Sequence, residues 1–67
     1  MTRTEARQIA QDIIISHGPS NACEFTHELL IQQLERRPSE DEYALVREQV
    51  IKQGNRVRAM FGYEAVS

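Results

Sequence analysis

The sequence contains little of what stabilises or equips many small proteins. It has one cysteine, Cys23, and two histidines among 67 residues. One cysteine excludes an intrachain disulfide and is typical of a reducing compartment, and these three side chains are too few for a structural zinc site. No apolar run approaches the ~20 residues of a membrane span, and Met1 to Glu5 lack the features of a signal peptide. We therefore expect a cytoplasmic protein that uses no metal and no cofactor.

Motifs for catalysis are also missing. No glycine-rich loop could hold a nucleotide, and the metalloprotease-like start His27-Glu28 has Ile31 where the second histidine would be needed. Cys23 and His27 are four residues apart on a predicted helix, so a reactive thiol or a metal ligand is an alternative to core packing. Core packing is the simpler interpretation, because buried cysteine is common and no orienting residue is evident. We expect no enzymatic activity.

The length of the chain limits its stability. A domain of 67 residues buries only about 60% of the surface of its unfolded chain, and such a core contributes only ~3–5 kcal/mol net. Small domains gain further stability from disulfides, metals or a second subunit. With neither disulfide nor metal, residues 1–67 are expected to form one domain that associates as a homodimer.

Hydrophobic periodicity predicts an all-α fold, a small bundle of three helices. The first is predicted from about Arg3 to Ser16, with apolar residues spaced at i, i+3, i+4 and i+7. Thr2 and Glu5 have the spacing of a capping box. Gly18 is a natural C-terminal cap for this helix.

The second helix is predicted to be the central one, from Ala22 to Leu34 and ending near Arg36. Its apolar residues cover more than half of its surface, so it must be covered from more than one direction. Ser20 and Asn21 can each cap its N-terminus. Two further elements are therefore expected to pack on this helix.

The third helix follows a Ser39–Glu42 capping box and is the longest. Gly54 lies on its apolar stripe, so either another helix crosses closely there or the helix breaks into two at that glycine. The unchanged phase of the stripe favours an unbroken helix, with Gly62 as its cap and residues 64–67 frayed. The stripe falls within about 40° of one line on a helical wheel and consists of Tyr43, Val46, Val50, Gly54, Val57 and Phe61.

Helix lengths support the predicted dimer. An unbroken third helix of ~33 Å would overhang two helices of ~22 Å. A second copy that packs antiparallel across Gly54 would cover the apolar residues of the overhang. The predicted interface consists of Val50, Gly54, Val57, Met60 and Phe61.

Several large apolar residues fall off the main stripes of their predicted helices. One or two exposed residues of this kind are ordinary, but four in so short a chain indicate a second contact surface or part of the dimer. A partner protein would bind such a surface. The four residues are Ile15, Ile31, Leu45 and Ile51.

Positive charge in the third helix supports an alternative, nucleic-acid binding. The net charge of −2 argues mildly against a partner held through phosphates, although a dimer would double the basic surface. Two of the four cations fall on each side of the apolar stripe rather than on one face, which is typical of charged borders that solvate a packed helix. The four cations are Arg47, Lys52, Arg56 and Arg58.

These observations lead to two expectations for function. The first is a non-enzymatic regulatory or interaction protein that binds a partner protein. Such a protein would be an adaptor, or an inhibitor of a larger machine of the kind that phages and plasmids encode. The alternative is a dimeric, helix-turn-helix-like transcriptional regulator that binds DNA.

Overall fold

The computed structural model describes residues 1–62 and places them in four α-helices. These are α1 (Arg3–His17), α2 (Pro19–Glu24), α3 (Thr26–Leu34) and α4 (Glu40–Met60). The prediction of an all-helical chain is confirmed for the described residues, whereas the prediction of three helices is wrong. The predicted fraying of residues 64–67 concerns a segment outside the described residues.

Both predicted capping boxes at the starts of α1 and α4 are confirmed. The Thr2 hydroxyl accepts from Glu5 N at 3.1 Å, and the Glu5 carboxylate accepts from Thr2 N at 3.2 Å. Ser39 and Glu42 make the same reciprocal pair at 3.2 and 2.9 Å. Each box satisfies two backbone N–H groups that the first helical turn leaves without partners, and so each box determines where its helix begins.

The predicted central helix is wrong as a single element, because the backbone breaks at Phe25, where φ is −113° and ψ is 30°. The buried Thr26 hydroxyl donates to the carbonyl oxygens of Ala22 at 2.6 Å and Cys23 at 3.2 Å. A continuous helix would pair both oxygens with backbone N–H groups. Arg47 Nη1 also donates to Cys23 O at 3.5 Å. Threonine competes for backbone carbonyls in this way, so the break leaves these two carbonyls satisfied.

The start of α2 also differs from the prediction. Gly18, at φ 86° and ψ 157°, ends α1 and directly precedes α2, whose first residue is Pro19. Proline suits this position because its missing N–H would have no helical partner there. Asn21 is not a cap: its Nδ2 donates to the carbonyl of His17 at 3.2 Å, so it satisfies the end of α1 instead.

The core is organised around α4 rather than around the predicted second helix. α4 contacts each of the other three helices, and its stripe is buried from Val46 to Gly54. The alanines of α1 and α2 allow the backbones of these helices to approach closely. The buried apolar residues are Ala6, Ala10, Ile13, Ile14, Ala22, Cys23, Leu30, Val46 and Val50.

Gly54 marks the point where α2 crosses α4. The helix continues through it, as the phase of the stripe predicts. A Cβ atom at Gly54 would lie 3.1 Å from Cys23 Sγ and 3.6 Å from the carbonyl oxygen of Pro19. The close neighbour at this glycine is therefore α2 of the same chain. Val50 and Gly54 are buried by the chain's own helices, which corrects their assignment to a dimer interface.

The capping carboxylate of Glu42 makes the stability of the chain dependent on pH. Arg36 donates to both of its oxygens, at 2.9 and 2.6 Å, and with the Ser39 backbone this holds the pKa of Glu42 at about 2. Because folding lowers the pKa of Glu42 from its ordinary value of 4.5, the ionised carboxylate stabilises the folded chain above about pH 4.5. This stabilisation is lost as the pH falls toward 2 and the carboxylate becomes protonated.

We therefore expect the urea midpoint to fall between pH 5 and pH 2, and Glu42→Gln to remove part of that fall. Urea titrations across this range measure the effect. Glu28→Gln, at an exposed position in α3, is the matched control for the loss of one carboxylate. An unchanged pH profile in Glu42→Gln would contradict the role of this carboxylate.

Candidate binding groove

A groove of about 760 Å³ runs along the outer surface between α1 and α4. We call it the α1–α4 groove. The residues that line it recur every three or four positions on each helix, so each wall is one helical face. The wall residues are Arg3, Thr4, Arg7, Gln11, Ile14 and Ile15 of α1, and Gln49, Lys52, Gln53, Arg56 and Val57 of α4.

The groove is strongly basic although the whole chain is acidic. Four exposed cations line it, Arg3 and Arg7 from one wall and Lys52 and Arg56 from the other, and none of the described residues that line it is acidic. Within residues 1–62 the four cations form no ion pair with a carboxylate. Like charges gathered in a groove raise its positive potential and attract anionic groups.

The other half of the groove is apolar. Ile14 is buried at its base, Val57 is half-buried, and the side chain of Ile15 is 73% exposed. One turn beyond Val57, Met60 lies on the same face of α4 and is 78% exposed. A side chain as exposed as Ile15 gains little from the fold, so its burial against a partner would be favourable.

The two walls change from basic to apolar in the same direction. Gln53 Nε2 donates to the carbonyl of Arg7 at 3.1 Å, and further along both helices Phe61 lies beside His17 at a second cavity of about 440 Å³. α1 and α4 therefore run in parallel. Arg3, Arg7 and Lys52 therefore lie toward the N-terminal part of the groove, and the exposed apolar side chains lie toward its C-terminal part. Arg56 lies between them, next to Val57.

The structure divides the four cations predicted for nucleic-acid binding into two pairs. Lys52 and Arg56 line the α1–α4 groove. Arg47 and Arg58 lie on the opposite side of α4, where Arg47 Nη1 donates to Cys23 O and Arg58 Nη1 donates to the Ser20 hydroxyl. Because this second pair holds α2 against α4, the four residues do not form one basic surface.

Sequence reasoning missed the contribution of α1 to the groove. Arg3, Arg7 and Gln11 are spaced at i, i+4 and i+8 and therefore share one helical face. This spacing is visible in the sequence, but it indicates a basic groove only when Lys52 and Arg56 of α4 are known to lie on the facing wall. The pairing of the two faces depends on the tertiary packing of α1 on α4.

The residues predicted for protein contact lie in different parts of the structure. Ile15 and Val57 line the groove, Met60 extends it, and Phe61, which is 71% exposed, lines the second cavity. The remaining three residues are each half-buried, and Leu45 packs against the core. The second surface predicted at Ile31, Leu45 and Ile51 stays a prediction.

Cys23 and His27 do not form a reactive pair. Cys23 is buried with its Sγ 3.9 Å from the carbonyl oxygen of Val50, and burial raises the pKa of its thiol, which disfavours the nucleophilic thiolate. The His27 ring packs edge-on against Tyr43 with centroids 5.1 Å apart. The interpretation of Cys23 as a core residue therefore agrees with its position.

Residues 1–62 show neither a metal site nor a membrane-spanning helix. No three histidine, cysteine or acidic side chains of this range converge in a way that could hold a metal ion, and no helix in it is both long and apolar enough to cross a bilayer. No protein-family model, curated protein or solved structure matches the chain. The function is therefore inferred from the groove itself.

Proposed function

We propose that the chain is a small, non-enzymatic interaction protein that binds a segment of a partner protein in the α1–α4 groove. The observation that supports this function is the division of the groove into a basic half and an apolar half. Protein segments combine carboxylates and large apolar side chains within a few turns of helix, and helices commonly bind in grooves of this type.

The division of the groove favours a protein over a nucleic acid. A nucleic-acid backbone presents phosphates along its whole length. By contrast, the exposed apolar side chains at the C-terminal end of the groove and just beyond it, Ile15 and Met60, offer no hydrogen-bond donor. Arg47 and Arg58 face α2 on the other side of α4, so they would not extend a phosphate track through the groove. The alternative of a helix-turn-helix-like DNA-binding regulator therefore has weaker support.

Binding by occupation of a partner's surface is sufficient for a regulatory role. A bound chain of this size would block a standard protein interface of ~800 Å² per partner. A cytoplasmic adaptor, or an inhibitor of a larger machine, would work in this way. Neither role needs a catalytic residue in the groove.

Homodimerisation remains a narrower proposal. With Val50 and Gly54 buried inside the chain, the part of the predicted interface that remains accessible within residues 1–62 is the end of α4. Met60 and Phe61 are exposed there. Sedimentation equilibrium of Met60→Ser with Phe61→Ser against the unchanged chain tests this contact, and a chain that is monomeric at high micromolar concentration would contradict it.

Capture of the partner tests the proposed function. The tagged chain is incubated with a lysate of its source organism, with and without nuclease, and the bound species are read by mass spectrometry and nucleic-acid staining. We expect a stoichiometric protein that survives nuclease treatment. Recovered nucleic acid, or partners that disappear with nuclease, would favour DNA binding instead.

A substitution at Ile15 tests whether the apolar half contributes to capture. Ile15→Ser is expected to weaken partner binding about tenfold, because an exposed isoleucine gains ~1.5–3 kcal/mol when it becomes fully buried and part of that gain is lost. Its unfolding free energy should change by no more than about 0.5 kcal/mol. Titration calorimetry and urea unfolding measure the two quantities, and Ile15→Leu is the control that should retain binding.

A further inference from the structure

We infer that the occupant of the α1–α4 groove is an amphipathic helix whose carboxylates lie at one end and whose large apolar side chains lie at the other. The inference rests on the proposed function and specifies the chemistry of the partner segment. It follows from charge complementarity, from the dimensions of the groove and from the order of its residues.

Cations project into the groove from both of its walls. Arg3 and Arg7 project from α1, and Lys52 and Arg56 project from α4. A carboxylate between the two walls would be within reach of guanidinium groups from each, and arginine can bind a carboxylate through two parallel hydrogen bonds. Among residues 1–62 no lining residue is acidic, so two or more carboxylates would meet no negative charge from this part of the chain.

The length of the groove sets the spacing within the occupant. The lining residues of α1 extend from Arg3 to Ile15, which corresponds to about 18 Å at 1.5 Å per residue. Arg7 and Ile14 are about 10 Å apart along the same axis. A helix that lies along the groove should therefore carry its carboxylates at i and i+3 or i+4, and its apolar side chains about two to three turns away, near i+7 to i+11.

Neutral amides alternate with the cations along the groove. They belong to Gln11, Gln49 and Gln53, of which Gln53 already donates to the Arg7 carbonyl. Glutamine amides offer both donors and acceptors, so polar side chains of the occupant can bind between its carboxylates. The occupant is then acidic and polar toward one end and apolar toward the other.

Selection from a displayed random peptide library tests this order without knowledge of the natural partner. The folded full chain is the bait, and Lys52→Glu with Arg56→Glu is the matched bait with two reversed charges in the groove. From the unchanged chain we expect peptides with at least two aspartates or glutamates followed by leucine, isoleucine, phenylalanine or methionine near i+7 to i+11. The reversed bait should bind these peptides at least about tenfold more weakly.

The outcomes distinguish the inference from the proposed function. Peptides that bind in the groove but lack the acidic excess would overturn the inference alone. Peptides whose binding is unaffected by both the reversed charges and Ile15→Ser would overturn the proposed function as well. If no peptide is selected and a fluorescent DNA duplex binds in the groove, both the inference and the proposed function are wrong and the groove binds nucleic acid.

Self-association has its own outcome. If the unchanged chain sediments as a dimer and the variant with reversed charges sediments as a monomer, a second copy occupies the groove and the inference is wrong. If both are monomers while the selected acidic peptides bind the unchanged chain, the groove is free for a different protein, as inferred.

Discussion

Replacing Gly54 with leucine is expected to destabilise the chain by about 3 kcal/mol, which is most of the net stability of a core this small. Even a Cβ atom at this position would lie 3.1 Å from Cys23 Sγ and 3.6 Å from the Pro19 carbonyl oxygen. The sulfur can shift slightly, but the backbone of α2 cannot yield to a whole leucine without leaving α4. The gain in helix propensity over glycine, about 0.8–1 kcal/mol, does not offset this loss.

Circular dichroism during urea unfolding measures the effect of Gly54→Leu. Ala59→Leu is the matched control, because Ala59 is exposed on the same helix, and it should change the unfolding free energy by no more than about 0.5 kcal/mol. Gly54→Ala should have a small effect that becomes stabilising when Cys23→Ala removes the nearest atom. A Gly54→Leu chain as stable as the control would show that α2 does not cross α4 at this glycine.

Reversing one charge on each wall of the groove, with Arg7→Glu and Arg56→Glu, is expected to weaken partner binding about 10–100-fold. Exposed ion pairs contribute only ~0.2–1 kcal/mol each, but a reversal replaces attraction with repulsion at two positions, so a loss of ~1–3 kcal/mol results. Both side chains are exposed, and the fold should remain intact. Titration calorimetry with the captured partner measures the change.

A single substitution outside the groove provides the control for this experiment. Arg37→Glu makes the same charge change as Arg56→Glu, at an exposed residue between α3 and α4. If binding depends on the groove, Arg56→Glu weakens it and Arg37→Glu leaves it nearly unchanged. Equal losses in the two single variants would indicate that net charge, rather than the groove, governs the interaction.

The starts of α1 and α4 were predictable because their causes are local. The pairs Thr2–Glu5 and Ser39–Glu42 form within four residues of sequence, and such hydrogen bonds need no tertiary partner. The continuity of α4 through Gly54 was predictable for a related reason, since the apolar stripe keeps its phase on both sides of the glycine.

The break at Phe25 and the groove could not be predicted, because both depend on contacts distant in sequence. Thr26 lies within an apolar helical pattern, and that pattern alone predicts a continuous helix. The break also involves Arg47, which is distant in sequence and donates to the freed carbonyl of Cys23. The groove needs the face of α1 that carries Arg3 and Arg7 to lie opposite the face of α4 that carries Lys52 and Arg56. That pairing follows from the parallel packing of α1 on α4. The predicted dimer across Gly54 was misplaced because α2 occupies the space assigned to a second copy.

Site-specific photo-crosslinking in cells shows whether a partner protein binds in the α1–α4 groove. A photoreactive amino acid is placed at Gln11 or Gln49 in the groove, or at Gln33 on the exposed surface of α3, and the crosslinked species are identified by mass spectrometry. We expect one protein adduct from both groove positions and none from Gln33. An adduct from Gln33 alone, or crosslinks to nucleic acid from the groove positions, would contradict this expectation.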